Sequence, residues 1–257
     1  MPSRTKDKAT PLPIRHRVLL AAGRVMLGIA GISLLGAILI GVRVFNALEG
    51  QPAGDAAQPT PEGPLAIFVR NFLSPANAPA DAPRVGIVAG HAGYDPGAVC
   101  PDGLTEADVN ANVAQRVGLV LTGLGFQVDL LQEFDPRLAG YRADVLVSIH
   151  ADSCEVPGAS GFKVARVTDS AIPEAEDRLV ACLYQEYETR TGLPRHPSSI
   201  TDNMTDYHAF SEIDSRTPGA IIEMGFLGDD RALLVDEPEL LARGIAAGVV
   251  CFLEGEE

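Results

Sequence analysis

From residue 84 onward, short apolar runs alternate with longer segments that repeat apolar residues at helical spacing. Runs of this length are typical of buried strands, and the longer periodic segments are typical of amphipathic helices. The strand candidates are 85–89, 126–131, 145–149, 161–167 and 220–222, and the helix candidates are 105–124, 173–191 and 238–253. Alternation of this kind favours an α/β fold, with a mostly parallel twisted sheet and helices on both faces.

A different apolar run, at residues 25–42, contains no charged residue and follows a segment rich in Arg and Lys. A helix of this length would span about 27 Å, close to the ~30 Å hydrocarbon core of a bilayer. Because basic flanks stay in the cytoplasm, we predict a cytoplasmic tail at 1–24 and a single N-terminal transmembrane helix at 25–47. The rest of the chain would then lie outside the cytoplasm, held at the cell membrane. A cleaved signal peptide is the alternative, although its apolar core is usually shorter.

Composition distinguishes a linker from the domain and limits the possible partners. Residues 48–83 are rich in Pro, Ala and Gly and cannot bury enough apolar surface to fold, so we predict a semi-rigid linker. The domain would therefore occupy residues 84–257. The chain has 34 acidic and 20 basic residues, and this balance disfavours nucleic acid as a partner because its phosphates would be repelled.

Three ionisable residues closely follow predicted strands. His91, His150 and Glu223 each lie one or two positions after an apolar run. In open parallel sheets, ligands bind at the edge formed by the carboxyl ends of the strands. We therefore expect the three side chains to meet at one edge, although each histidine alone would also fit an ordinary hydrogen-bonded loop residue.

Histidine and carboxylate side chains from distant parts of a chain are also what a hydrolytic zinc site requires. Such sites usually have three protein ligands and leave a fourth position open. His91, His150 and Glu106 fit this rule, although a Glu in the first turn of a helix is also favoured by the helix dipole alone. We expect the remaining histidines of this region, His196 and His208, to lie on the surface.

Four sequence blocks then occur in a fixed order. They are GHAGYDPGA at 90–98, Glu106, SIHAD at 148–152 and IEMGFL at 222–227. Together they resemble the zinc-dependent N-acetylmuramoyl-L-alanine amidases, whose pattern is a GHGGxDxGA-like loop, a downstream Glu, an SIHAN-like strand end and an ExGF segment. The resemblance spans residues 84–253.

The resemblance implies that His91, Glu106 and His150 bind Zn²⁺ and that Glu223 is the catalytic base. It also implies the substrate, which is the amide bond between N-acetylmuramic acid and L-alanine of the peptidoglycan stem. Zinc lowers the pKa of a bound water to about 7, and the base would pass that water's proton to the leaving amine. Two alternatives stay open: a catalytically weak relative that binds or regulates the wall, and another zinc peptidase or deacylase on this fold. The sequence identifies no activating protein partner.

The chain departs from the family pattern at several positions. Ala92 replaces the second Gly of GHGG, and Asp152 stands where the family usually has Asn, which adds a negative charge near a predicted ligand. The Arg-rich segment before the SIHAN strand is shortened to 137–142, and LGDD at 227–230 replaces the usual Leu-Ser-Asn type. None of these departures removes a predicted ligand.

The four cysteines fall into two groups. Cys100 and Cys154 follow the two predicted histidine ligands and would lie near the same edge, where a disulfide and two free thiols are both compatible with the sequence. Cys182 and Cys251 lie on apolar faces of predicted helices, and we expect them to be buried packing residues.

Overall fold

The structure is a computed structural model that describes residue 79 and residues 81–255. The predicted tail at 1–24, the transmembrane helix at 25–47 and nearly all of the linker at 48–83 lie outside these residues and stay predictions. Within the described part of the chain, no helix combines the length and the hydropathy that a membrane span needs.

Five strands form one sheet in the order β2-β1-β3-β5-β4. The strands are β1 (Arg84–Ala89), β2 (Gln127–Gln132), β3 (Val145–Asp152), β4 (Lys163–Ala165) and β5 (Gly219–Phe226). β1 pairs in parallel with β2 and β3, β3 pairs in parallel with β5, and only β4 is antiparallel to its neighbour. The sheet is therefore mostly parallel, as predicted, with one antiparallel edge strand.

Three long helices correspond to the three predicted helical segments. Within the described residues the α-helices are α1 (Glu106–Gly123), α2 (Pro173–Thr191), α3 (Asp202–Thr205), α4 (His208–Glu212), α5 (Arg231–Asp236) and α6 (Pro238–Glu254). The long helices are α1, α2 and α6. The hydroxyl of Thr105 accepts a hydrogen bond from the amide of Asp108 and so caps α1. Proline lies in the first turn of both α2 and α6. Backbone N–H groups there have no acceptor within the helix, so the missing N–H of proline costs no helical hydrogen bond.

The two faces of the sheet are covered unequally. On one face, strand residues such as Ile87, Val147 and Ile222 belong to the main apolar core with α1, α2 and α6. On the other face, a smaller core that includes Val88 and Leu146 lies under the short helices α3 and α4 and a 3-10 turn. The prediction of helices on both faces is confirmed, but the long helices all belong to one core.

All four cysteines form disulfide bonds, Cys100 with Cys154 and Cys182 with Cys251. Cys182 and Cys251 were expected to be buried packing residues, but they are bonded to each other and are only partly buried. They link α2 to α6. A cysteine on an apolar helix face can be a packing residue or part of a disulfide bond, and the sequence does not show which helices face each other.

Candidate metal centre

The predicted site residues come from three neighbouring strands and one helix. His91 lies two residues after β1, whereas His150 and Glu223 lie within β3 and β5 and are paired in register. The prediction that these last two residues follow their strands was wrong, because the parallel ladder continues through them beyond the apolar run. The backbone amide of Gly90 donates to the carbonyl of Ile149 at 3.0 Å, which holds the loop after β1 beside β3.

His91, Glu106 and His150 converge at this edge. Each offers one ligand atom, and these atoms all lie within 4.8 Å of one another. Oε1 of Glu106 lies 3.2 Å from Nε2 of His91 and 3.1 Å from Nδ1 of His150. Nε2 of His150 is buried and has no hydrogen-bond partner among the described residues. Two imidazoles around a carboxylate, with a buried ring nitrogen that makes no hydrogen bond, suit a divalent cation such as zinc.

The Glu106 carboxylate is held in place from several directions. It lies in the first turn of α1 and is 6% exposed. Its Oε2 accepts from the amide of Ala98 at 3.1 Å, and its Oε1 accepts from the amide of Ala151 and from Nδ2 of Asn110, both at 3.3 Å. Burial raises the pKa of Glu106, but hydrogen bonds from the two histidines outweigh burial and hold the pKa below its ordinary value. The group is therefore an anion that can bind a cation.

His91 adopts a backbone conformation that is unusual for its residue type. It has a φ of 63°, the left-handed region, which is uncommon for residues other than glycine. Its amide donates to Oε2 of Glu133 at 2.7 Å, and its Nδ1 lies 2.6 Å from Oδ1 of Asp95. The hydrogen bond to Glu106 raises the pKa of His91 to about 9. The negative surroundings that favour a proton here also favour a divalent cation.

The glycines of the first motif provide room for the ligand side chains. A Cβ atom at Gly90 would lie 2.3 Å from the ring of His150. At Gly97, which has a φ of 61°, a Cβ atom would lie 2.6 Å from Oε2 of Glu106. Ala92 has no such restriction: its φ is not positive, and its carbonyl accepts from the amide of Glu133 at 3.2 Å. The departure at Ala92 is therefore compatible with the path of the loop.

Glu223 provides a second carboxyl group beside the cluster. Its Oε2 is buried and has no hydrogen-bond partner among the described residues, and its neighbours Ile222 and Met224 are fully buried. Burial raises the pKa of Glu223 to about 7, although the charge of His150 acts in the opposite direction. A carboxyl group with a pKa near neutrality can both accept and donate a proton.

Glu133 is a further site residue that was not predicted from the sequence; it lies one residue after β2 and is 5% exposed. Besides accepting from the His91 amide, its Oε2 lies 3.7 Å from Nε2 of His150, and its Oε1 lies 3.0 Å from Nε2 of His208. The rule that singled out the other strand-end residues would have identified Glu133 too, since β2 ends at the same edge.

His196 and His208 are less exposed than predicted. The His208 side chain is 24% exposed and lies between Glu133 and Glu212, with Nδ1 2.8 Å from Oε1 of Glu212. His196 is partly buried, with Nδ1 2.7 Å from the hydroxyl of Ser199. Neither belongs to the three-residue cluster, and both lie at the surface only in part, since each is of intermediate exposure.

A nearby lysine balances the negative charge of Asp152, which stands where the family usually has Asn. Its carboxylate pairs with Nζ of Lys163 in β4, a lysine that is only 4% exposed. Nζ of Lys163 also donates to the carbonyl of Ser199 at 2.7 Å. Asp230, in the LGDD segment that departs from the family pattern, also has a structural role. Its Oδ2 accepts from the amides of Phe226 and Gly161, each at 2.9 Å.

Comparisons with known proteins point to one family. A family model described as N-acetylmuramoyl-L-alanine amidase matches residues 85–251. N-acetylmuramoyl-L-alanine amidase AmiC of Neisseria meningitidis serogroup B is 29% identical over 205 residues, which are 75% of this chain and 47% of that protein. This chain therefore spans about half the length of that relative.

Two solved structures share the fold. The CwlD amidase from Clostridioides difficile, solved in complex with the GerS lipoprotein, is 22% identical with a TM-score of 0.57, and the match covers 68% of this chain and 100% of that one. The N-acetylmuramyl-L-alanine amidase Ami1 from Mycobacterium smegmatis is 19% identical with a TM-score of 0.58, covering 70% of this chain and 100% of that one. At these identities the two structures establish the fold only.

Proposed function

Because this chain belongs to the N-acetylmuramoyl-L-alanine amidase family, we propose that it hydrolyses the amide bond between N-acetylmuramic acid and L-alanine in peptidoglycan, with Zn²⁺ held by His91, Glu106 and His150. One observation carries the proposal. Three ligand atoms lie within 4.8 Å of one another, close to a buried carboxylate oxygen of Glu223 that has no partner among the described residues. Two imidazoles and one carboxylate form a ligand set that hydrolytic zinc sites use.

The residues divide the chemistry between them. When bound, zinc would supply Lewis-acid chemistry toward the amide carbonyl and toward water. Glu106 orients both histidines, and the amides of Ala98 and Ala151 hold its carboxylate in place. Glu223 takes a proton from the attacking water and later gives it to the departing nitrogen. The water oxygen joins the carbonyl carbon, the C–N bond breaks, and the products are a muramoyl carboxylate and a free alanine amine.

The amidase assay uses the purified full-length chain and muropeptides, with products identified by mass spectrometry. We expect free stem peptides with a new alanine amine, and we expect a chelator to abolish them. Glu223→Gln should lower the rate by about 10²–10⁴-fold, because a general base is lost, while zinc stays bound. Undiminished turnover in this variant would exclude Glu223 as the base. Binding without products would favour a wall-binding relative, and cleavage elsewhere in the stem would favour another zinc peptidase.

Metal content provides a separate test of the ligand set. His150→Ala should lose the zinc that copurifies with the chain, as measured by elemental mass spectrometry. His196→Ala is the matched control, because His196 is also partly buried but lies outside the cluster, and it should retain stoichiometric zinc. Equal metal in both variants would contradict the ligand assignment.

We also propose that the domain acts outside the cytoplasm, held at the membrane by the predicted helix at 25–47. The two disulfides support this location, because such bonds persist mainly in oxidising compartments. A tether would also keep the local concentration of the domain high near its substrate. Protease added to intact spheroplasts should degrade the domain, and its complete protection, with a cytoplasmic marker also intact, would argue against this location.

A further inference from the structure

Two exposed aromatic side chains lie beside the candidate metal centre. Tyr94 is 67% exposed and Phe134 is 48% exposed. Their rings meet edge to face at 4.5 Å, and Phe134 stacks on His208 at 4.1 Å with an interplanar angle of 22°. We call Tyr94, Phe134 and His208 the aromatic rim. Exposed aromatic rings that contact one another beside a candidate active site form a surface on which a ligand can pack.

The aromatic rim is attached directly to the loop that carries His91. The amide of Tyr94 donates to the carbonyl of His91 at 3.0 Å. Phe134 follows Glu133, whose Oε2 accepts from the His91 amide at 2.7 Å and whose Oε1 lies 3.0 Å from Nε2 of His208. The buried Glu133 therefore connects both sides of the rim to the metal loop, and a ligand on the rim would lie next to the reacting centre.

We propose that the aromatic rim is a subsite for a sugar ring of the glycan strand, on the acyl side of the scissile amide; this inference rests on the proposed function. A pyranose ring presents a face of C–H groups that packs on aromatic rings, and its hydroxyl groups stay at the edge. Aromatic side chains suit such ligands because they combine a large apolar surface with, in Tyr94, a polar tip. The carbonyl carbon that reacts belongs to the lactyl group of muramic acid, so the sugar lies only a few bonds away.

The acidic residues beside the aromatic rim favour the sugar over the stem peptide as its ligand. The rim is flanked by Asp95 and Glu212, whose side chains are 43% and 36% exposed. Each of these carboxylates also contacts a histidine, Asp95 the Nδ1 of His91 and Glu212 the Nδ1 of His208, but both stay partly exposed. A stem peptide has more free carboxylates than amines, so its net negative charge is poorly matched to acidic neighbours. The muramic acid of the intact substrate has its carboxyl group within the amide bond and is uncharged, so it meets no such repulsion.

The test measures binding rather than turnover. The full-length chain is titrated with a tetrasaccharide of alternating N-acetylglucosamine and N-acetylmuramic acid whose carboxyl groups are capped as methylamides, and separately with a free stem tetrapeptide. We expect Tyr94→Ala and Phe134→Ala each to weaken binding of the capped glycan by about tenfold and to leave stem-peptide affinity unchanged. Tyr94→Phe should retain most of the glycan affinity, because the ring remains.

Leu124→Ala is the control for loss of exposed apolar surface. Leu124 is 60% exposed and lies at the other end of α1, about 27 Å along the helix from Glu106, and its loss should not change glycan binding. Unchanged glycan affinity in both alanine variants would overturn the inference. So would the absence of glycan binding by the unsubstituted chain, or a selective loss of stem-peptide binding. If the rim binds glycan but no amide is cleaved, the proposed function fails while the subsite stands.

Discussion

The two disulfide bonds lie in different regions, one beside polar candidate ligands and the other between packed helices. Cys100–Cys154 joins the segment between His91 and Glu106 to the segment after His150, at what we call the metal edge. Cys182–Cys251 joins α2 to α6 in what we call the helical layer, formed by α1, α2 and α6. The same covalent link therefore occurs once beside polar ligands and once within an apolar helix interface.

The metal edge holds groups that the chain itself does not satisfy. His91 is in the left-handed region, and Nε2 of His150 and Oε2 of Glu223 are buried without a hydrogen-bond partner among the described residues. In the helical layer, by contrast, the fully buried Leu183 and Tyr187 of α2 pack against glycines of α6. Left-handed backbone strain at a non-glycine residue therefore lies at the metal edge. Buried polar atoms without a hydrogen-bond partner occur in both regions, since Oγ1 of Thr122 in α1 and Oε2 of Glu176 in α2 also lack one among the described residues.

Removing each disulfide should separate stability from metal binding. The bonds close loops with sequence separations of 54 and 69 residues, and each should contribute about 4 kcal/mol to the free energy of unfolding. We expect Cys100→Ala/Cys154→Ala and Cys182→Ala/Cys251→Ala to lose similar stability in urea titrations. Only the first pair should weaken zinc binding in chelator competition, because only that bond restrains the ligand segments. An equal loss of zinc affinity in both would remove the distinction between the regions.

Breaking a buried ion pair at the metal edge should be the next largest effect. Lys163→Met leaves the Asp152 carboxylate without its partner, and we expect the free energy of unfolding to fall by about 3 kcal/mol. Adding Asp152→Asn should recover most of this loss, because no uncompensated charge then remains. Both changes are measured by urea denaturation.

The matched pair in the helical layer is Arg116–Glu239, which joins α1 to α6 and is largely exposed. Glu239→Gln should leave stability almost unchanged, because exposed ion pairs contribute little. If Glu239→Gln were as damaging as Lys163→Met, burial would not be what distinguishes the two pairs.

One glycine from each region gives a third comparison. Gly90→Ala would place a methyl group 2.3 Å from the His150 ring, and we expect zinc affinity to fall by about 100-fold as that ring is displaced. Gly248→Ala would place a methyl group 2.7 Å from Cδ2 of Leu183, and overpacking should reduce stability by about 1–3 kcal/mol without changing zinc affinity. Chelator competition and urea titration on both variants measure the two effects. A Gly248→Ala variant that lost its zinc would contradict the expectation.

The parts of this structure that the sequence predicted depend on local signals. The three long helices follow from apolar residues at helical spacing, and α2 was predicted with the bounds that the structure has, Pro173–Thr191. His91 and His150 were expected at one edge because both come directly after apolar runs, and the structure brings them together with Glu106. Their role as zinc ligands stays a prediction.

The parts that were missed depend on pairing between distant segments. The Asp152–Lys163 ion pair exists because β4 runs antiparallel to β5, which no local pattern in 161–167 indicates. The Cys182–Cys251 bond likewise depends on which helices are neighbours, and cysteine spacing alone does not determine connectivity.

The smallest predicted effect concerns a carboxyl group of the helical layer that, like Oε2 of Glu223, is buried. Glu176 lies in the first turn of α2, is 4% exposed, and accepts from the amide of Gly219 at 3.3 Å. Burial raises the pKa of Glu176 above its ordinary value, although hydrogen bonds from Ser170 and Gly219 act in the opposite direction. Between the unfolded and folded pKa values the native state binds more protons, so this group's contribution to stability falls as the pH rises through that window.

Replacing Glu176 with Gln removes the ionisation and should therefore stabilise the chain more at pH 7 than at pH 4. We expect the difference in unfolding free energy between Glu176→Gln and the unsubstituted chain, from urea titrations at both values, to grow in favour of the variant as the pH rises. Glu174→Gln, an exposed residue in the same turn, controls for the loss of one charge. A difference that is the same at both pH values would show that Glu176 ionises in the folded chain as freely as in the unfolded one. The helical layer would then contain no buried carboxyl group comparable to Glu223.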